Sequence, residues 1–117
     1  MKIKFKSLHN MDIAILELNG NFTGGRETNE LSKMAHDAFE QGNRKLILDL
    51  GHVRYLNSTG LGVLMHIHTQ YSNRDGKLKL CRVGMHIHNI FIITQLVKVF
   101  DIEETQEKAI NSFNHKP

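Results

Sequence analysis

Two hydrophobic periods alternate along this chain. In residues 2–8, Ile3 and Phe5 interleave with Lys2, Lys4 and Lys6, the period-two spacing of a strand. Residues 11–19 read as a second strand: Ile13, Ala14, Ile15, Leu16 and Leu18 alternate weakly before Asn19-Gly20-Asn21. The break at His9-Asn10 is short enough for a hairpin. The stretch 20–25 holds three glycines and reads as an irregular loop. Residues 26–41 switch to the helical period, with Leu31, Met34, Ala35, Ala38 and Phe39 on one face and Gly42 as a C-terminal stop.

The second half repeats strand and helix. Residues 45–50, Lys-Leu-Ile-Leu-Asp-Leu, form an apolar run suited to a strand covered on both faces. Residues 60–71 predict a helix with Leu61, Leu64, Ile67, His68 and Tyr71 aligned, ended by Asp75-Gly76. Residues 77–83 predict a strand and residues 86–95 a helix carrying Ile87, Ile90, Phe91 and Thr94 on one side. Residues 97–102 read as a short strand or extended segment. Residues 104–113 form a last helix with Ala109, Ile110 and Phe113 inward, and 114–117 a frayed end. Strand–helix alternation after a hairpin implies an α/β fold: a mostly parallel mixed sheet of four to five strands, an antiparallel edge and about four helices. The length fits one domain over residues 1–117.

Composition narrows the class. The single cysteine, Cys81, lies in an apolar run and reads as a buried, inert thiol; without a disulfide framework the chain suits a reducing, cytoplasmic setting. The first ten residues build no apolar targeting segment, and no run approaches a membrane span, so no membrane insertion is expected. The net charge is +3, but the basic residues are scattered. Lys2, Lys4 and Lys6 read as edge-strand lysines that discourage pairing between chains. They lack aromatics and a recognised motif, so no nucleic-acid partner is expected. A monomer or weak dimer is the expectation, though nothing in the residues selects between them.

The chemistry concentrates in residues 53–64, Val-Arg-Tyr-Leu-Asn-Ser-Thr-Gly-Leu-Gly-Val-Leu. This segment leaves the buried strand and opens a helix. Asn57, Ser58 and Thr59 are all favourable N-caps. Gly60 and Gly62 allow close backbone approach. A helix N-terminus favours negative charge and accommodates phosphate.

Asn57-Ser58-Thr59-Gly60-Leu61-Gly62 resembles the Asp-Ser-Ser/Thr-Gly-Leu-Gly segment of the STAS family of bacterial anti-sigma factor antagonists. Leu46-Ile47-Leu48-Asp49-Leu50 resembles the family's central strand, Gly76-Lys77-Leu78-Lys79-Leu80 its next strand, and the stretch from Leu96 through Ile102 to Ala109 its C-terminal end. The resemblance covers nearly the whole chain and implies the STAS fold. It also implies a non-enzymatic role in partner switching. An anti-sigma factor that is also a GHKL-type serine kinase would bind the unmodified protein and phosphorylate Ser58, with Thr59 as second choice, and a PP2C-type phosphatase would reset it. Asn57, Ser58, Thr59, Gly60, Leu61, Thr23 and Arg26 are the implied partner-binding residues. Two departures stand out. Asn57 replaces the common Asp, removing a negative charge beside Ser58. The loop Asn21-Phe22-Thr23-Gly24-Gly25-Arg26 lacks the acid many members carry.

Other readings carry less. The residues by themselves also allow Ser58 to be a plain helix cap. As a hydrolase nucleophile it lacks the first glycine of the Gly-x-Ser-x-Gly elbow. There is no P-loop and no dinucleotide fingerprint, so no cofactor is expected. Among eight histidines, His66 and His68, and His86 and His88, stand two apart on predicted helices and point in different directions; no metal site is expected. Asp49 is expected to end its strand and bond local backbone. Ile90-Phe91-Ile92-Ile93 is too apolar for a one-sided surface helix; core packing is the expectation, and Ile92 and Ile93, if exposed next to the Ser58 loop, would form a partner-binding surface. Two alternative functions remain open: an accessory subunit of a lipid-transport ABC complex, or a small ligand- or nucleotide-binding module.

Overall fold

A computed structural model of the chain describes residues 2–114. The hairpin strands are β1 (Lys2–Leu8) and β2 (Ile13–Phe22), joined by a 3-10 turn at His9–Met11. Then follow α1 (Arg26–Glu40), β3 (Lys45–Leu56), α2 (Ser58–Ser72), β4 (Lys77–Cys81), α3 (Met85–Ile93), a 3-10 turn at Leu96–Lys98, β5 (Asp101–Glu103) and α4 (Gln106–Asn114). The strands lie side by side in chain order. The β1–β2 pair is antiparallel and every later pair is parallel. This is the mixed sheet with an antiparallel edge that the pattern predicts. Positions 115–117, expected as part of a frayed end, lie outside the described residues.

Alternation along the strands divides the core in two. The Ala14, Leu16 and Leu18 face of β2, with Leu46, Leu48 and Leu50 of β3 and Leu78 and Leu80 of β4, meets Leu31, Ala35, Leu64, Ile67, Tyr71, Ile87 and Phe91 from α1, α2 and α3. The opposite face, Ile13, Ile15, Ile47 and Cys81, is covered by Ala109, with Ile110 and Phe113 packed alongside. Burial of Cys81 pushes its thiol up to about 12, as an inert core residue requires.

Three boundaries differ from expectation. Gly20 does not stop β2: it sits at φ +125, at a register irregularity against β3, and the strand continues to Phe22, short of Gly24 and Gly25. β3 runs twelve residues, well past position 50, because its second half pairs with the extended β2. The segment 97–102 is not one strand. Gln95 (φ +64) turns the chain, the 3-10 turn follows, and only Asp101–Glu103 pairs with β4. That detour sinks Phe100 against Phe91 (ring centroids 5.3 Å apart) and His68 (5.8 Å).

Asp49 also departs from its expected place. It lies within β3 and is buried. It does bond local backbone, accepting from the Gly51 N–H at 2.8 Å. The same carboxylate accepts from Gln106 Nε2 at 2.6 Å and pairs with Arg82 at 3.3 Å. Gln106 also donates to Glu17, the register partner of Asp49, and Lys6 approaches Glu17 at 3.1 Å. Hydrogen bonding from Gln106, then from Lys6, holds the Glu17 carboxyl below the usual glutamate range. One glutamine thus ties α4 to two strands.

Candidate functional site

Because β2, β3 and β4 run parallel, each crossover helix starts at the same end of the sheet. The segment around Ser58 forms there. β3 ends at the buried Leu56, and Asn57 takes an extended conformation (φ −107, ψ −177) before the first turn of α2. Asn57 Oδ1 accepts from the Gly60 N–H at 2.9 Å, and its carbonyl accepts from the Leu61 N–H at 2.9 Å. Its Nδ2 donates to the Thr23 carbonyl at 2.8 Å, and its backbone N–H donates to the Phe22 carbonyl at 3.3 Å. One residue therefore caps α2 and fastens the neighbouring loop to it. An aspartate could supply the cap but not the bond to Thr23, since an ionised carboxylate only accepts.

Ser58 and Thr59 are the first residues of α2, and both are exposed. Helix geometry leaves their N–H groups without a carbonyl one turn earlier. The first turn contains no acid. Thr59 packs against the other loop: a Cβ on Gly24 would lie 2.7 Å from Thr59 Cγ2. Gly60 is buried against Phe22, and an added Cβ there would lie 2.2 Å from the Phe22 carbonyl oxygen. Gly62, expected to serve the same close approach, does not: nothing lies within 4 Å of its Cβ position. Leu61 is half-buried against the core.

The loop from β2 to α1 completes the end of the sheet. Thr23 touches the site through its carbonyl. Arg26 is the exposed first residue of α1; its side chain forms no hydrogen bond or ion pair among the described residues, Ser58 included. Thr28 is buried, and its Oγ1 accepts from the Gly24 N–H at 2.9 Å, fixing a loop whose glycines sit at φ +101 and +85. Sequence reading missed Thr28. A threonine four residues after a glycine at a helix start was the available signal.

The histidine pairs are spread as expected: His66 and His86 are exposed, while His68 packs edge-on against Phe100. No group of three or more His, Cys, Asp and Glu side chains able to hold a metal occurs among the described residues. No helix among them is long and apolar enough to cross a membrane.

Fold and site together define a small α/β domain that presents a hydroxyl at a capped helix N-terminus, beside a loop stitched to that cap. The chain belongs to the STAS domain family, whose profile matches residues 4–109. It is similar to BtrV of Bordetella bronchiseptica, assigned as an anti-sigma factor antagonist, with 26% identity over 97% of this chain and 95% of that one. Its fold matches that of a protein from Thermotoga maritima with the same assignment (TM-score 0.86, 22% identity, 97% of this chain and 95% of that one). It also matches unphosphorylated SpoIIAA, an anti-sigma factor antagonist (TM-score 0.77, 13% identity, 98% and 100% covered). The phosphorylated form of SpoIIAA from Bacillus superimposes with a TM-score of 0.74 at 14% identity, over 95% of this chain and 98% of that one.

Proposed function

We propose that this protein is an anti-sigma factor antagonist that works by binding, in the cytoplasm, and is switched at Ser58. The unmodified chain captures an anti-sigma factor that is also a GHKL-type serine kinase, using Asn57, Ser58, Thr59, Gly60 and Leu61 with Thr23 and Arg26 beside them. Phosphorylation of Ser58 breaks the contact and a PP2C-type phosphatase restores it. The observation that carries this reading is the exposed Ser58 hydroxyl at the start of α2.

A phosphate there adds about −1.5 to −2 charges. Within the protein it meets the positive end of a helix dipole and no acid in the first turn, so the fold tolerates it. Against a docked partner the same group adds bulk and a desolvation cost. The modification therefore acts on binding and leaves the structure intact. The family membership and the existence of SpoIIAA in both forms support the same reading.

The test is a pulldown from native lysate with wild type, Ser58→Ala and Ser58→Asp. A kinase of the GHKL class retained by the first two and lost by the third is the expected result. A partner retained equally by all three would reduce Ser58 to a helix cap. Recovery of a transport ATPase would favour the accessory-subunit function instead.

A further inference from the structure

We infer that the open edge of β1 takes up an extended segment of a partner protein in which acidic and apolar residues alternate, adding a strand to the sheet. β1 ends the strand order, pairs over all seven residues with β2, and has no strand on its other side among the described residues. The backbone groups on that side are the free donors and acceptors of an edge strand. Its two flanks differ. Lys2, Lys4 and Lys6 stand opposite Asn19, Glu17 and Ile15, on the face of the sheet that carries α4. Glu17 is the one acid in the two hairpin strands, and Gln106 and Lys6 already bond it, so the lysine row keeps a net positive charge. On the other flank Phe5, 41% exposed, borders a cavity of about 270 Å³ formed with Met34, Asp37, Ala38 and Gln41 of α1.

An added strand points alternate side chains to the two flanks. One set meets three lysines. The other enters a cavity floored by Phe5, Met34 and Ala38, where Asp37 repels an acid. Main-chain bonding then supplies affinity, and the flanks supply the sequence preference. The same charges decide against other occupants. A second β1 would set lysines beside lysines. A phosphate backbone or a lipid surface would meet the lysines and leave the apolar cavity empty. The far edge, β5, offers only three residues. On α3, Ile92 and Ile93 are exposed and not packed in the core as the sequence suggests, but the charges nearby, Arg82, Lys98, Glu103 and Glu104, are of both signs and select no occupant.

The test is an NMR titration of the isotope-labelled full chain with the peptide acetyl-Glu-Val-Glu-Leu-Glu-Val-Glu-amide. Saturable shifts confined to residues 2–8, 15–19 and 34–41 are expected, with a dissociation constant on the order of 100 µM. Raising the salt from about 50 to about 500 mM should weaken binding several-fold. A peptide of the same composition with its glutamates grouped at one end, and the counterpart with lysine for glutamate, should each bind at least tenfold more weakly. Of two peptides N-methylated at alternate residues, one should bind like the parent and the other not, because only one edge of the peptide pairs with β1. Lys2→Glu combined with Lys4→Glu should turn the preference toward the lysine peptide; the peptide comparisons on the wild type need no substitution. No shifts up to about 2 mM peptide overturn the proposal. So do equal binding of the grouped peptide, which would be charge attraction alone, equal binding of both N-methylated peptides, or shifts centred elsewhere. Ser58→Asp should bind the peptide like the wild type, so this result and the pulldown stand or fall separately.

Discussion

α2 and α3 occupy equivalent places, each carrying the chain away from the C-terminal end of a parallel strand, yet their first turns are built differently. α2 starts with a side-chain cap: Asn57 bonds Gly60 and reaches across to Thr23. α3 starts from Gly84, with no side-chain cap, after Arg82 in a left-handed conformation (φ +55). α1, from Gly25, also lacks a side-chain cap. The α2 start presents polar atoms with fixed geometry, and the α3 start leads into an apolar outer face. A side-chain cap costs a specific residue at a specific position. Among the three crossover helices, that requirement is met only at α2, where an exposed hydroxyl lies beside a second loop.

Gly60→Ala should have the largest effect on this contrast. Its Cβ would meet the Phe22 carbonyl at 2.2 Å, and that carbonyl also accepts the Asn57 N–H. Forcing them apart should cost about 3 kcal/mol, read as a lower urea midpoint. Gly62→Ala, two residues on with open space around it, should instead gain about 0.5–1 kcal/mol by helix propensity. Equal midpoints for the two variants would mean that the packing of α2 on β2 is looser than the distances imply.

Asn57 should come next. Asn57→Ala loses both the cap and the tie to Thr23, for about 2 kcal/mol. Asn57→Asp keeps the cap, since the two rank together as N-caps. It loses the donor and sets a carboxylate against the Thr23 carbonyl, for about 1 kcal/mol. Trypsin should then cut faster after Arg26, at the far end of the freed loop. Unchanged cleavage in Asn57→Asp would leave Asn57 a cap and nothing more.

The smallest effect comes from giving α3 what α2 has. Gly84 is extended (φ −66, ψ 158) with nothing within 4 Å of its Cβ position, so Gly84→Ser fits without strain. It should add a few tenths of a kcal/mol. A loss of stability would show that the β4–α3 junction depends on glycine for a reason other than its dihedrals.

The sequence by itself determined the order of elements, the mixed sheet, the inward faces of the helices and the location of the Ser58 segment. These depend on local periodicity and on residue types whose backbone preferences act within a few positions. Tertiary structure decided what depends on partners distant in the chain. The strand β2 crossed Gly20 because β3 lay alongside to pair with it. Asp49 stayed inside its strand because Gln106, 57 residues later, supplied a donor. Gly60 and Gly62 looked alike in sequence, and only the position of Phe22 separated them. The meaning of Asn57 lay in its reach to Thr23, 34 residues earlier. A hydrogen bond or a steric contact between such residues has no period to betray it, so it becomes legible only once the sheet has brought the two loops together.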